Sequence, residues 1–449
     1  MDYYALGENL IKQARKKGAH EAEIFISEKL KNTIKVHHEE VESVKSSREK
    51  GLGIRIFIDK KLGFGYSSDF SDPHLSSLLD KIINLAQEID SDPGNILPEN
   101  LPSDNNFDIF DNELSQIPLE EKINKLKEAE KLGYNDKRII NTEFALYDEV
   151  EESNFLINSR GICKSYRATE AGMVFIMIAS DGSVSETGMD FTLNRFYKKL
   201  DPYTAVSNAS REAIMLLGGR KIKSQKLTAV FSPNAGSEFV SIIASALSAE
   251  ACQKGRSFLK NCSGKQIANS KVNIIDDGTL KGGLLTVPMD GEGVPTQRNI
   301  LIQNGILKKY LYNTYTANKE GISSTGNGFR SSYKSTPAII PSNFYLEQGN
   351  IKEHEMIKKI DKGIYIKHTM NVGGINPITG EYSVGINGIW IENGELTYPV
   401  REVTIASTLP DMLNNIIEVA DNILFIPVGY TSICGSPGFQ ISEITLGGI

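Results

Sequence analysis

The sequence is short of every residue type that would announce metal or thiol chemistry. Its 449 residues include six histidines (His20, His37, His38, His74, His354 and His368) and four cysteines (Cys163, Cys252, Cys262 and Cys434). No two cysteines form a Cys-x-x-Cys pair, so a disulfide framework is not expected and free thiols in a reducing compartment are. No apolar run approaches the roughly 20 residues that span a bilayer. Met1-Asp2-Tyr3-Tyr4 lacks the basic start and apolar stretch of a secretory leader. These absences predict a soluble cytoplasmic chain with no membrane partner. The net charge is −7, and acidic residues interrupt the lysines nearly everywhere. A nucleic-acid partner is therefore not expected either, since that affinity rests on clustered Lys and Arg.

The catalytic motifs are missing in the same way. A zinc peptidase needs two histidines on one helix face, a third ligand and a glutamate that takes a proton from metal-bound water. His354-Glu355-Met356-Ile357-Lys358 begins like His-Glu-x-x-His but ends in lysine, within a polar helical stretch that reads as a solvated face. His37-His38-Glu39 lies in extended text, where neighbouring side chains point to opposite faces. Gly63-Phe64-Gly65 lacks the third glycine of a dinucleotide loop, and there is no Gly-x-x-x-x-Gly-Lys-Ser/Thr. Gly435-Ser436-Pro437-Gly438 lacks the Gly-x-Ser-x-Gly spacing of a nucleophile elbow. No catalytic residue is assigned.

What is there is alternation and turn chemistry. A helix is expected from Tyr3 to Lys17, then extended text at Glu21–Ser27 and Thr33–Val36, then a hairpin from Gly53–Ile58 to Leu62–Tyr66. Asp72-Pro73 starts a second helix, with the aspartate as its cap. Residues 91–116, rich in Pro, Asn and Asp, read as a linker. Beyond it come a helix near Pro118, strands at Glu143–Glu151, Ser153–Asn158, Ile162–Ser180 and Ser183–Leu193, and a helix at Tyr203–Leu217. From Leu227 the text is β-rich. Asn304-Gly305 and Asn393-Gly394 each sit between strand-like runs, as type I′ hairpin turns require. Helices interrupt this region near Ala235–Lys254, Ile351–Lys362 and Leu409–Ala420. The pattern predicts an α+β fold: a mixed helix and antiparallel-sheet N-terminal region, then a β-rich C-terminal domain with interspersed helices. The expected divisions are 1–90, a 91–116 linker, 117–222 and 223–449.

Two places could touch a ligand. Asp276-Asp277-Gly278 and Asp290-Gly291-Glu292-Gly293 set carboxylates at glycine turns, where turn chemistry alone accounts for them. Asp290 and Glu292 are the candidates for a cation or peptide amine. Cys434 stands in a glycine-rich loop near the C-terminus, where a buried thiol is the simplest reading.

Several stretches together resemble the TldD/PmbA family. They include Glu42–Ile58, Asn158-Ser-Arg-Gly, Lys254-Gly-Arg-Ser-Phe-Leu, Ile275-Asp-Asp-Gly-Thr-Leu and Glu292-Gly-Val-Pro-Thr. Tyr315-Thr-Ala, Ser324-Thr-Gly-Asn, Asn376-Pro-Ile-Thr-Gly-Glu-Tyr-Ser and Ile391-Glu-Asn-Gly-Glu-Leu-Thr-Tyr-Pro-Val continue the likeness. TldD-type members carry His-Glu-x-x-x-His on a C-terminal-domain helix, with a cysteine near the C-terminus completing a zinc site. Here that motif would fall near Val240-Ser241-Ile242-Ile243-Ala244-Ser245, and no histidine lies anywhere from Ala235 to Gly255. Cys434 matches the family cysteine and is the one remnant of the site.

The resemblance is therefore to the PmbA (TldE) branch. It implies a non-catalytic subunit of a heteromeric zinc-dependent peptidase that acts on unfolded or modified peptides. No cofactor is expected in this chain, and zinc is expected in a TldD-type partner; the isolated chain could form a homodimer. Two alternatives stand beside it. One is an active peptidase with a non-standard metal set such as Asp290, Glu292 and Cys434. The other is a regulatory binding protein of the DNA gyrase modulator type.

Overall fold

The computed structural model describes residues 1–370, 372–428 and 432–448. In its first half the chain forms α1 (Tyr3–Lys16), β1 (Glu21–His37), β2 (Glu40–Ile58), β3 (Lys61–Ser67), α2 (Asp72–Glu88), α3 (Leu119–Gly133), β4 (Ile139–Asn158), β5 (Cys163–Ser180), β6 (Ser185–Asn194) and α4 (Pro202–Met215). The six strands make one antiparallel sheet in the order β3-β2-β1-β4-β5-β6. Because β1 pairs with β4 from Glu23 to Val36, segments on both sides of the 91–116 stretch share that sheet.

Strict alternation gives this sheet two different faces. On one, Ile24, Ile26 and Ile157 pack beneath α1 and α2, while Ala145, Tyr147, Met173 and Phe175 pack beneath α3 and α4. The opposite parity carries Ser27 and Lys29 on β1, Glu152 and Asn154 on β4, and Tyr166 and Glu170 on β5. That second face looks toward the C-terminal half.

The C-terminal half comprises β7 (Gln225–Phe231), α5 (Pro233–Ala246), α6 (Ala249–Gln253), β8 (Ile274–Asp277), β9 (Arg298–Gln303), β10 (Ile306–Leu307), α7 (Thr314–Glu320), β11 (Gly328–Phe329), β12 (Ala338–Ile339) and β13 (Asn343–Leu346). It continues with α8 (Glu353–Ile357), β14 (Lys362–Met370), β15 (Glu381–Glu392), β16 (Glu395–Thr408), α9 (Leu409–Asn415), β17 (Ile416–Val419), β18 (Leu424–Val428), β19 (Ser432–Ser436) and β20 (Phe439–Gly447). Two six-stranded sheets, β10-β9-β8-β13-β19-β18 and β16-β15-β14-β7-β20-β17, enclose the main core. Helix α5 packs against β18 and β19 of one and β14 of the other, and Phe231 stacks on Phe439 with ring centroids 4.9 Å apart. The α+β class and the β-rich C-terminal region hold.

Several local expectations need correction. Glu21–Ser27 and Thr33–Val36 belong to one strand, because the polar stretch between them is laddered to β2 on one side and β4 on the other. For the same reason β2 begins at Glu40, well before the first apolar residues of the hairpin. Glu143–Glu151 and Ser153–Asn158 likewise merge into β4. The cap before α2 is Ser71, with Asp72 inside the first turn. Ala235–Lys254 splits into α5 and α6 because the Ser248 side chain accepts the Ala251 N–H and starts a new helix. Ile351–Lys362 keeps helix only over α8. Leu409–Ala420 turns from α9 into β17 at Ile416-Ile417, a β-branched pair that joins β20.

Both Asn-Gly hairpins form, with φ of 51° and 75° at Asn304-Gly305 and 52° and 79° at Asn393-Gly394. Among the described residues, no helix is long and apolar enough to cross a membrane.

Candidate functional site

The polar face of the first sheet and the C-terminal half enclose a cleft with two cavities. The larger, about 460 Å³, runs from Asp148 and Val174 of the sheet to Asn234 and Glu238 on α5 and Ile426–Val428 on β18. The smaller, about 320 Å³, lies between Asn154, Tyr166 and Arg195 on the sheet side and Ser342 opposite. Glu170 lines both. Burial raises its pKa, with Arg195 and Lys29 pulling the other way.

His368 bolts the larger cavity to α5. Its Nε2 lies 3.0 Å from Glu212 Oε1 on α4, and its Nδ1 lies 3.5 Å from Glu238 Oε1 on α5. Glu238 Oε2 accepts from the Thr369 N–H at 2.8 Å and the Thr369 hydroxyl at 2.6 Å. Burial works to lower the imidazole pKa, but the two carboxylates prevail and carry it up to about 9. A charged imidazolium thus clamps three elements together at the cavity wall.

The place where a metal would be held is built differently. Cys434 is fully buried on β19, packed in one apolar cluster with Val240, Ile243 and Ala244 of α5. Its neighbours across the sheet are Phe344 on β13 and Ile426 on β18. Burial, with Asp276 adding to it, pushes the thiol up to about 12. A zinc ligand must be a thiolate, and catalytic zinc ordinarily takes three protein ligands. A neutral thiol against a helix of Val, Ile and Ala does not fit that role. Among the described residues, no group of three or more His, Cys, Asp or Glu could hold a metal ion, so Asp290, Glu292 and Cys434 do not come together as one.

Asp290 and Glu292 belong to a buried network that ties the two halves. Glu23 on β1 makes paired 2.8 Å contacts with Arg55 Nε and Nη2, and a second contact with Arg330. Arg55 Nη1 lies 3.3 Å from Glu292, whose other oxygen accepts the Thr314 N–H at 2.8 Å. Asp290 accepts three backbone N–H groups, from Glu292, Val294 and Gly328. Burial and the Glu292 charge nevertheless push Asp290 up to about 8. Neither carboxylate lines either of these two cavities, although Gly291 between them lines the smaller. Asp276 is spoken for as well, by the Asn327 amide at 2.8 Å and the Ser342 N–H at 2.6 Å.

Sequence reading missed His368, Glu238, Glu170, Asn154, Arg195 and Ser342. For Asn154 and Glu170 a signal existed: polar residues at the same parity along otherwise apolar strands mark a solvated or ligand-facing sheet side.

Comparison with known proteins follows the same outline. The C-terminal-domain model of the PmbA/TldA metallopeptidases matches residues 224–448, the central-domain model 112–217 and the domain 1 model 22–88. The chain belongs to the PmbA/TldD metallopeptidase family. A metalloprotease PmbA homologue from Buchnera aphidicola is 31% identical over 411 residues, covering 89% of this chain and 88% of that one. The Escherichia coli metalloprotease PmbA is 28% identical, covering 90% and 88%. A TldD homologue from Buchnera is 26% identical, covering 89% and 87%. The Thermotoga maritima crystal structure of a candidate modulator of a DNA gyrase superposes with a TM-score of 0.90 at 25% identity, covering 99% of this chain and all of that one. TldE from Thermococcus kodakarensis superposes at 0.90 with 23% identity and 99% coverage of this chain, a likeness of fold.

Proposed function

We infer that this chain is the non-catalytic, PmbA/TldE-like subunit of a heteromeric peptidase, and that its cleft forms part of the chamber receiving unfolded or modified peptides. The observation that carries the reading is the packing of Cys434. Cys434 shares one apolar cluster with Val240, Ile243 and Ala244 of α5, and burial, with the Asp276 charge adding to it, holds the thiol protonated. The cleft beside it, by contrast, keeps polar groups and open volume.

Zinc, in this reading, sits in a TldD-type partner, and the existence of both PmbA-named and TldD-named relatives of this chain supports such a pairing.

The test is cleavage of a denatured protein by the isolated chain, by a TldD-type partner, and by their mixture, with complex formation followed by gel filtration. Cleavage that needs the partner, together with a stable complex, is expected. Cleavage by the isolated chain, or no complex at all, overturns the reading; the first outcome favours an independent peptidase and the second a regulatory binding protein.

A further inference from the structure

The larger cavity combines apolar walls with charge of one sign. Val150 and Val174 of the first sheet, Met189 and Leu193 on β6, and Ile426 on β18 supply apolar surface. Asp148, Glu170, Asp190 and Glu238 are its carboxylates, and among the described residues no lysine or arginine lines it. Its one basic group, His368, is already held between Glu212 and Glu238. The smaller cavity differs, because Lys29, Arg195 and Arg330 stand there among Glu49, Glu152 and Glu170. A confined space walled by one sign of charge concentrates the opposite sign.

The four carboxylates are not equally engaged. Glu238 is bound by His368 and Thr369. Asp190 accepts from the Asn208 amide and the Phe191 N–H, both at 2.8 Å. Asp148 accepts from the Thr33 hydroxyl and lies 3.3 Å from Lys31 Nζ. Glu170 has no hydrogen bond or ion pair to its side chain among the described residues; Arg195 and Lys29 act on its charge from the smaller cavity without direct contact. The Asp148 charge acts on it as well, with the opposite sign of effect.

Strand register explains what lies between those two acids. Val150 stands opposite Glu170, and Asp148 opposite Gly172, so Asp148 and Glu170 are diagonal neighbours on the cleft face. Gly172 pairs with Leu193 on its other side, and a Cβ there would fall 2.8 Å from Leu193 Cδ1. Glycine thus lets the Leu193 side chain lie across the floor. The result is an apolar strip flanked by two carboxylates, one of them without a direct partner. Such a surface complements a side chain that buries an aliphatic stem and keeps a cationic head at its tip. The volume of about 460 Å³ also lies within the ~300–1,000 Å³ that small-ligand pockets occupy.

We propose that the larger cavity binds a cationic group carried on an aliphatic stem, with the stem along Leu193 and Val174 and the ammonium or guanidinium at Glu170 and Asp148. A peptide offers that chemistry as a lysine or arginine side chain, or as an α-ammonium beside an apolar first residue. The proposal rests on reading the cleft as a peptide chamber and adds the residue class that the chamber prefers.

Isothermal titration calorimetry of the isolated full-length chain, near neutral pH, tests it with two matched pairs of probes. Acetyl-Ala-Lys-Ala-amide is set against its norleucine analogue, which keeps the stem and lacks the charge. Leu-Ala-amide is set against acetyl-Leu-Ala-amide, which lacks the α-ammonium. The cationic member of at least one pair binds at least about tenfold more tightly than its neutral twin, as a charge-assisted hydrogen bond requires. A preference in the first pair assigns the cation to a side chain, and one in the second to a peptide N-terminus. Glu170→Gln is expected to shrink the preference to within about threefold, at an unchanged or higher melting temperature because no hydrogen bond of Glu170 is lost. No preference in either pair, no heat from either cation at millimolar concentration, or a preference that survives Glu170→Gln each overturns the proposal. The paired comparison on the unaltered chain needs no variant to fold. Because the assay uses neither the partner nor cleavage, its failure removes the cation preference and leaves the partner-subunit reading to its own test.

Discussion

Arg55, Arg330 and Arg195 are all buried guanidinium groups at the junction of the first sheet and the C-terminal half, yet they are treated in two ways. Arg55 is held by Glu23 and Glu292, and Arg330 by Glu23 and two backbone carbonyls. Arg195 donates to two neutral carbonyls, and the Glu170 and Glu152 carboxylates act on its charge without a direct hydrogen bond. The protein pays desolvation for all three, but only the first two have a carboxylate in direct contact. A buried charge in direct contact with its counter-ion holds the halves together. The same contrast divides the acids: Asp290, Glu292 and Asp276 are occupied by the protein, while Glu170 faces both cavities.

Breaking the satisfied network has the largest expected effect. Glu23→Gln leaves two arginines buried without their shared carboxylate and should lower unfolding free energy by about 3–5 kcal/mol, read from urea denaturation. A loss below about 1 kcal/mol would mean the network does not join the halves. Next comes His368. Its folded-state pKa of about 9 stands above the ordinary imidazole value of 6.5, so its contribution is full below pH 6.5 and disappears as pH rises through 9. That difference corresponds to about 3 kcal/mol. His368→Gln should therefore cost about that much at pH 6, progressively less as pH rises from 6.5 to 9, and little of it above pH 9; a pH-independent deficit would remove charge from the explanation.

Cys434→Ala tests a buried polar group that needs no partner. Loss of one small packed group predicts about 1 kcal/mol of destabilisation, and the partnered peptidase rate should not change. The smallest effect belongs to Ser342→Ala. The hydroxyl is a lesser partner of Asp276, behind the Asn327 amide and the Ser342 N–H, so its deletion should cost less than about 1 kcal/mol, which is the sharpest contrast with Glu23→Gln.

Much of the fold was legible because it follows from local chemistry. The Asn-Gly turns, the apolar spacing of α1 and α4, and the alternation of β5 each specify an element without reference to distant residues. Where backbone pairing rather than side-chain burial sustains a strand, the sequence was silent: Glu28–Asn32 and Glu40–Lys50 show no apolar pattern and are strand only because neighbours ladder to them. The cleft was harder still. Arg195 and Ser342 are separated by 147 positions, and nothing in their local text sets them apart from turn or surface residues, whereas Asn154 shares its strand parity with other polar residues. The candidates that did stand out, Asp290 and Glu292, stood out for their turn glycines. Their carboxylates prove to be bound by backbone N–H groups and Arg55.

The account turns on whether this chain holds metal. Equilibrium dialysis of the purified isolated chain against zinc, followed by elemental analysis, tests that most directly. The account predicts no stoichiometric zinc and the same residual content in Cys434→Ala. One tightly held zinc per chain, lost on Cys434→Ala, would contradict it.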